Sequence, residues 1–175
     1  MLKNFRFQSM HLRWAVVIGA GLFIPLNLAA PATSLTTVEI AQYKPATSSL
    51  QQFRVNRKLW REKNIKNYRY TLTRSCFCVP TAREPVVITV RDGITTSIKS
   101  VATGKEVSNP EYFERYKTIP KLFNVISDAI ARKADSIDVQ YNNKLGYPTQ
   151  INIDYSRQIA DEELYLTIEN FKVLY

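Results

Sequence analysis

The sequence predicts an α+β domain: an antiparallel sheet of about five or six strands covered on one face by two helices, in the order α-β-β-β-α-β-β-β. Three observations carry this expectation. Segments 68–73, 86–91, 137–141 and 151–155 alternate apolar with polar residues at a period of two. Residues 119–134 instead repeat their apolar side chains at three and four. Asp92-Gly93 separates two alternating runs by two residues, the spacing of a tight hairpin.

The elements follow in order. Ser48 or Ser49 is placed to cap a first helix running to about Lys66. Leu50, Phe53, Trp60 and Ile65 share its apolar face, Arg54, Arg57, Lys58 and Arg61 supply charge, and Val55 and Leu59 break the pattern. Tyr68 to Thr73 alternates and is rich in β-formers, so it reads as a strand. Val86 to Arg91 is the next, with Val86, Ile88 and Val90 on one side, and Asp92-Gly93 turns it into Ile94 to Val101. A plain two-residue loop would put Ile94 and Ile98 on the face opposite Ile88 and Val90, so either a bulge or burial on both faces is expected.

A second helix follows, with Thr118 as its cap and Pro120 in its first turn. Ile119, Leu122, Phe123, Ile126, Ile130 and Ala134 form one stripe, and Arg132 and Lys133 stand at the end where cations suit the helix dipole. Three further strands centre on Ile137, Val139 and Tyr141, on Ile151, Ile153 and Tyr155, and on Leu164, Leu166 and Ile168. Pro148 cannot donate a ladder bond and marks the rim of a strand. The two halves share one pattern, either an old duplication or two similar ways of covering a sheet.

Residues 1–32 have the layout of a secretory signal peptide: Lys3, Arg6 and Arg13, then a mostly apolar run from Trp14 to Leu28, then Ala30-Pro31-Ala32 as a small-x-small cleavage site. The apolar run is short and interrupted for a membrane span, although an uncleaved leader would be a route to the membrane. Residues 33–48, rich in Pro, Ala, Thr and Ser, read as a flexible linker, and 49–175 as one domain. The expected location is therefore extracytoplasmic, periplasmic or secreted.

Cleavage near Ala32 changes the chemical inventory. It removes His11, the one histidine, and both methionines. No Ser-His-Asp or Cys-His device and no His-ligated metal site then remains to be built. Gly93, Gly104 and Gly146 are the glycines left, too far apart for a phosphate-cradling loop. The expectation is a chain with no catalytic residues, no cofactor and no metal.

The full chain carries 24 Lys and Arg against 15 Asp and Glu, a net charge of +9. The basic excess lies before about residue 105 and the acids gather after it. Such a first half can meet an anionic surface, an acidic glycan or nucleic acid, or be a solvated helix face. An exported chain would not meet nucleic acid.

Cys76 and Cys78 are the two cysteines of the chain. On an extended strand their Cα atoms would lie about 6.6 Å apart, at the edge of what a disulfide spans, so a bond between them requires the backbone to bend. Val79-Pro80 follows and gives a place for that bend. An exported chain favours oxidation. Such a tight loop adds little stability by loop entropy, so the bond would shape the strand end or be a reducible one. A buried thiol pair, thiol–disulfide exchange helped by Arg74 or Arg83, and Cu(I) binding are the alternatives.

Asp154, Asp161, Glu162 and Glu163 crowd together. They suit either a Ca²⁺ site or a carboxylate acid–base pair, although their spacing matches no calcium loop; a solvated turn is the plainer reading. Ten tyrosines offer a sugar- or peptide-binding platform. Tyr68, Tyr70, Tyr141 and Tyr155 are in phase with apolar neighbours and read as core. Leu145, Gly146, Tyr147 and Pro148 form a candidate binding loop.

Several of these segments occur together in one known family. They are Tyr68-x-Tyr70-Thr71 leading to Ser75-Cys76-Phe77-Cys78, Val90-x-Asp92-Gly93, Leu122-Phe123, Leu145-Gly146-Tyr147-Pro148-Thr149, and Ile153-Asp154-Tyr155 followed by Ala160-Asp161-Glu162-Glu163. The set resembles a bacterial family of small exported or lipid-anchored proteins catalogued as a domain of unknown function, six-one-seven-four in its series. The resemblance spans residues 55–172. It implies association with the envelope and carries over no activity, cofactor or catalytic residue. Here no cysteine stands at the end of the leader to take a lipid.

These readings converge on an exported, non-catalytic module that binds an envelope protein, a glycan or another ligand through the sheet face or the Tyr147 loop. The alternatives are a thiol–disulfide or copper-handling protein using Cys76 and Cys78, and an inhibitor-like domain, the latter by fold analogy alone.

Overall fold

A computed structural model describes residues 46–159 and 162–175. Residues 1–32, expected as a signal peptide, nearly all of 33–48, expected as a linker, and Asp161 lie outside the described residues. Within them the elements are α1 (Ala46–Lys63), β1 (Tyr68–Ser75), the short α2 (Pro80–Arg83), β2 (Val86–Arg91), β3 (Ile94–Ser100), a 3-10 turn (Pro110–Phe113), α3 (Ile119–Ala131), β4 (Ser136–Tyr141), β5 (Pro148–Asp154) and β6 (Glu163–Val173). The strands form a six-stranded sheet in the order β3-β2-β1-β6-β5-β4, antiparallel at every pairing.

The expected α+β architecture is therefore present, with one addition. Both helices lie over the β4–β5 side, and Phe53 of α1 meets Phe123 of α3 edge to face at 6.1 Å. The β1–β3 side is covered by the chain between β3 and α3. There Phe113 and Tyr116 are buried, Thr95 Oγ1 donates to the Lys117 carbonyl and Tyr70 donates its hydroxyl to the Tyr116 carbonyl. This segment has no regular periodicity, so its core role is invisible to pattern reading.

α1 opens at Ala46, ahead of the expected cap, and Ser49 instead donates its hydroxyl to the Ile137 carbonyl of β4 at 3.4 Å. It stops at Lys63 rather than Lys66 because Asn64 takes φ 48°, a left-handed stop. Phe53 and Trp60 are buried, while Val55 faces solvent. α3 is capped as expected: Thr118 accepts from the Lys121 amide at 3.2 Å. Its far end closes with Lys133 at φ 56° and the Ala134 amide on the Ala129 carbonyl at 3.0 Å, the Schellman arrangement.

The ladders carry three register shifts, one of them between Gln140 and Tyr141, and the other two set the phase of the hairpin and of β6. Asp92 and Gly93 both have positive φ, as a type I′ turn requires. The register then slips between Thr89 and Val90, leaving Thr96 unpaired. Ile98 thereby faces the core beside Ile88 while Ile94 is 70% exposed, so the bulge is the solution the hairpin adopts. In β6 the register slips opposite Arg69 and Thr71, where Asn170 has φ 52°. This slip turns Phe171 inward, where it stacks on Tyr68 at 5.5 Å.

No simple symmetry of the sheet superposes the two halves. β1 lies beside β6, and strand alternation makes β4 run opposite to β1. A translation would preserve strand direction, and a twofold axis normal to the sheet would place β4 beside β1. With both helices on one face, neither operation superposes the halves.

Candidate functional site

β1 ends at Ser75, and the chain then turns sharply through Cys76-Phe77-Cys78. The Cys78 amide donates to the Cys76 carbonyl at 2.9 Å, which draws the two Cα atoms to 5.3 Å and allows the disulfide that joins them. The bend required by the sequence is thus a three-residue turn. Both cysteines are half-buried, but Phe77 between them is 88% exposed and Val79 is 52% exposed. α2 follows and is pinned by buried Ala82.

Behind the turn lies Arg74. Its guanidinium sits 5.4 Å from the centre of the Tyr116 ring and donates through Nη1 to the Tyr112 carbonyl at 3.4 Å. Its buried Nε has no hydrogen-bond partner among the described residues, and no carboxylate pairs with it there.

The turn adjoins the face of the sheet that no element among the described residues covers. Because Leu72, Ile151, Leu166 and Val139 point to the helices, their neighbours point away. Cross-strand register makes one row of Thr73, Thr167, Gln150 and Gln140. The next row is Ser75, Tyr165, Asn152 and Asp138. These rows are mostly uncharged amides and hydroxyls. Gln150 Nε2 donates to Asn152 Oδ1 at 3.4 Å. Tyr165 is 41% exposed, and the Glu163 carboxylate beside it raises its phenol pKa. Tyr165 was not among the residues singled out from the sequence. The signal was present: it sits out of phase with Leu164, Leu166 and Ile168.

The Leu145–Pro148 loop folds against the body of the domain. Asn142 Oδ1 accepts from the Lys144 and Leu145 amides at 3.0 and 2.9 Å and folds the loop tightly. Gly146, at φ 79°, lies flat on α1, where an added Cβ would stand 2.5 Å from the Asn56 carbonyl oxygen and 3.1 Å from Leu59 Cβ. Leu59 thus faces this loop, which accounts for its place off the main stripe. Tyr147 is only 8% exposed; its ring stacks on Phe171 at 4.3 Å and meets Trp60 edge to face. Burial raises its phenol pKa. Pro148 is buried and opens β5, the strand-rim position expected of it. Gly146, Tyr147 and Pro148 are core-packing residues rather than a presented surface, because the loop docks on α1.

Of the acidic residues, Asp154 and Glu163 stand directly opposite each other across β5 and β6, and Asp154 Oδ1 accepts from the Ser156 amide at 3.0 Å. Glu162 follows the bend half-buried. Among the described residues no three His, Cys, Asp or Glu side chains gather as a metal site.

The basic helix face borders a cleft of about 310 Å³ between α1 and α3, with Arg57, Arg61, Asn64 and Asn124 at its walls and Trp60 and Phe123 beneath. The α3 N-terminus brings no free donor to it. The Ile119 amide donates to the Tyr68 hydroxyl at 3.0 Å, the Lys121 amide to Thr118, and Pro120 has none. Among the described residues no helix is long and apolar enough to cross a membrane.

No curated protein and no solved structure matches the chain. A family model described as "Family of unknown function (DUF6174)" matches residues 52–173, from the second turn of α1 to the last residue of β6. That match takes in the disulfide turn, the open sheet face and the docked Gly146 loop, and the chain belongs to this family of unknown function.

Proposed function

We propose that this chain is an extracytoplasmic binding module that holds a hydroxyl-rich envelope glycan, without acting on it chemically, against the open face of its sheet. The supporting observation is the paired rows on that face, Thr73–Thr167–Gln150–Gln140 beside Tyr165–Asn152. Amides and hydroxyls each donate and accept, which is what sugar hydroxyls require. A partly exposed aromatic ring among them supplies an apolar surface for a sugar face. Strands at about 4.8 Å spacing repeat these groups along a line, as an extended polymer would need. The leader-like residues 1–32 supply the extracytoplasmic part of this reading.

The test is a titration of isotope-labelled protein with soluble envelope glycan oligomers, followed residue by residue by NMR. Shifts concentrated at Thr73, Gln150, Asn152, Tyr165 and Thr167, with affinity reduced about tenfold by Tyr165→Ala, are the expected result. Shifts elsewhere, or none at millimolar oligomer, would reject the reading. Recovery of the mature chain in the cytoplasm would reject its extracytoplasmic part.

A further inference from the structure

The Cys76–Cys78 disulfide contributes little to holding the domain together. It closes a turn of three residues, so it removes little entropy from the unfolded chain. Phe77 projects into solvent at 88% exposure, and neither cysteine belongs to the hydrophobic core cluster. β1 is already fixed on both sides by β2 and β6 before the turn begins. A bond with so small a structural effect, at an accessible strand end, suits a chemical role better than a mechanical one.

We propose that Cys76 and Cys78 form a redox-active pair that exchanges disulfides with the dithiols of partner proteins, with Phe77 as the apolar contact that meets them. This role goes beyond glycan binding and does not depend on it. The turn is closed by the Cys78 amide on the Cys76 carbonyl, a backbone bond that does not involve the sulfurs. The two thiols therefore stay adjacent, and each can resolve a mixed disulfide formed by the other. Arg74 lies two residues before Cys76, its guanidinium against the Tyr116 ring and the Tyr112 carbonyl and with no carboxylate partner among the described residues.

The exchange balances. A partner thiolate attacks one of the two Sγ atoms, and the intramolecular S–S bond breaks with its electron pair leaving on the other sulfur, which takes up a proton. The partner's second thiol loses its proton and attacks the mixed disulfide, releasing the first cysteine. The partner ends as a disulfide, oxidised by two electrons, and this chain ends as the dithiol. Running backwards, the dithiol reduces a partner disulfide.

The test uses the full chain, folded and oxidised. It is held without denaturant in glutathione buffers of graded ratio, quenched, and its thiols counted by mass tagging. It is then mixed with reduced, unfolded ribonuclease and the return of ribonuclease activity is followed. The expected results are reversible reduction across the glutathione series and ribonuclease reactivation about tenfold faster than with the Cys76→Ser/Cys78→Ser variant. That variant should unfold within a few degrees of the parent temperature. A pair that resists reduction while folded, a reactivation rate equal to that of the double variant, or a double variant that fails to fold would each overturn the proposal.

Discussion

Tyr147 lies face to face with Phe171, their ring centroids 4.3 Å apart and their planes 22° from parallel. The contact joins the β4–β5 loop to the end of β6, and it exists because Asn170 adopts φ 52° and turns Phe171 inward. Phe171→Ala should cost about 3 kcal/mol, read as a shift in the urea midpoint. A double-mutant cycle with Tyr147→Ala should return a coupling of about 1 kcal/mol. Asn170→Gly should be tolerated, whereas Asn170→Val should cost about 1–2 kcal/mol by forcing a branched side chain into left-handed backbone.

Gly146 and Gly104 form an internal control, since both have positive φ, +79° and +68°. A Cβ at Gly104 meets nothing within 4 Å, while one at Gly146 stands 2.5 Å from the Asn56 carbonyl oxygen. Gly104→Ala should cost about 1 kcal/mol from backbone strain alone. Gly146→Ala should cost at least about 3 kcal/mol, because the loop must lift off α1. Equal losses in thermal unfolding would show that the loop gives way easily.

The buried phenols predict alkaline instability. Burial pushes the Tyr68 hydroxyl up to about 12 from 10.0, and raises Tyr70 and Tyr141 as well. A raised folded pKa means the folded state binds its proton more tightly than the unfolded state. Stability is therefore intact below the ordinary phenol value and falls as pH climbs through it toward the folded values. Unfolding free energy measured against pH should decline in that window, and Tyr70→Phe should flatten the decline. A flat profile would contradict these burials.

Thr118→Ala removes the acceptor for the Lys121 amide and should cost about 1 kcal/mol, measured by thermal unfolding. Thr118→Ser keeps the acceptor and should recover most of it.

Local chemistry made much of this fold readable. Alternation located the strands, Thr118 with Pro120 located the start of α3, and the phase conflict across Asp92-Gly93 foretold the Thr96 bulge. The burial of Tyr147 was not legible because it is decided by contact with α1, which is distant in sequence and unmarked in the loop itself. Phe113 and Tyr116 were missed because irregular segments have no period to betray burial. Cys76 and Cys78 were legible as a pair requiring a bend. The open-face rows were not, because they depend on which strands become neighbours, and the β1–β6 pairing joins the first and last strands.

That pairing has a consequence for synthesis. Ribosomes deliver β1 early and β6 last among the strands, yet the two lie side by side at the middle of the sheet. Until β6 arrives, the β1–β2–β3 meander exposes a bare hydrogen-bonding edge, open to stray strands from other chains. High sequence separation at the central seam makes closure slow, so this edge stays open until the last strand docks. Shortening β6 by a few residues removes pairing at the centre of the sheet rather than at its border.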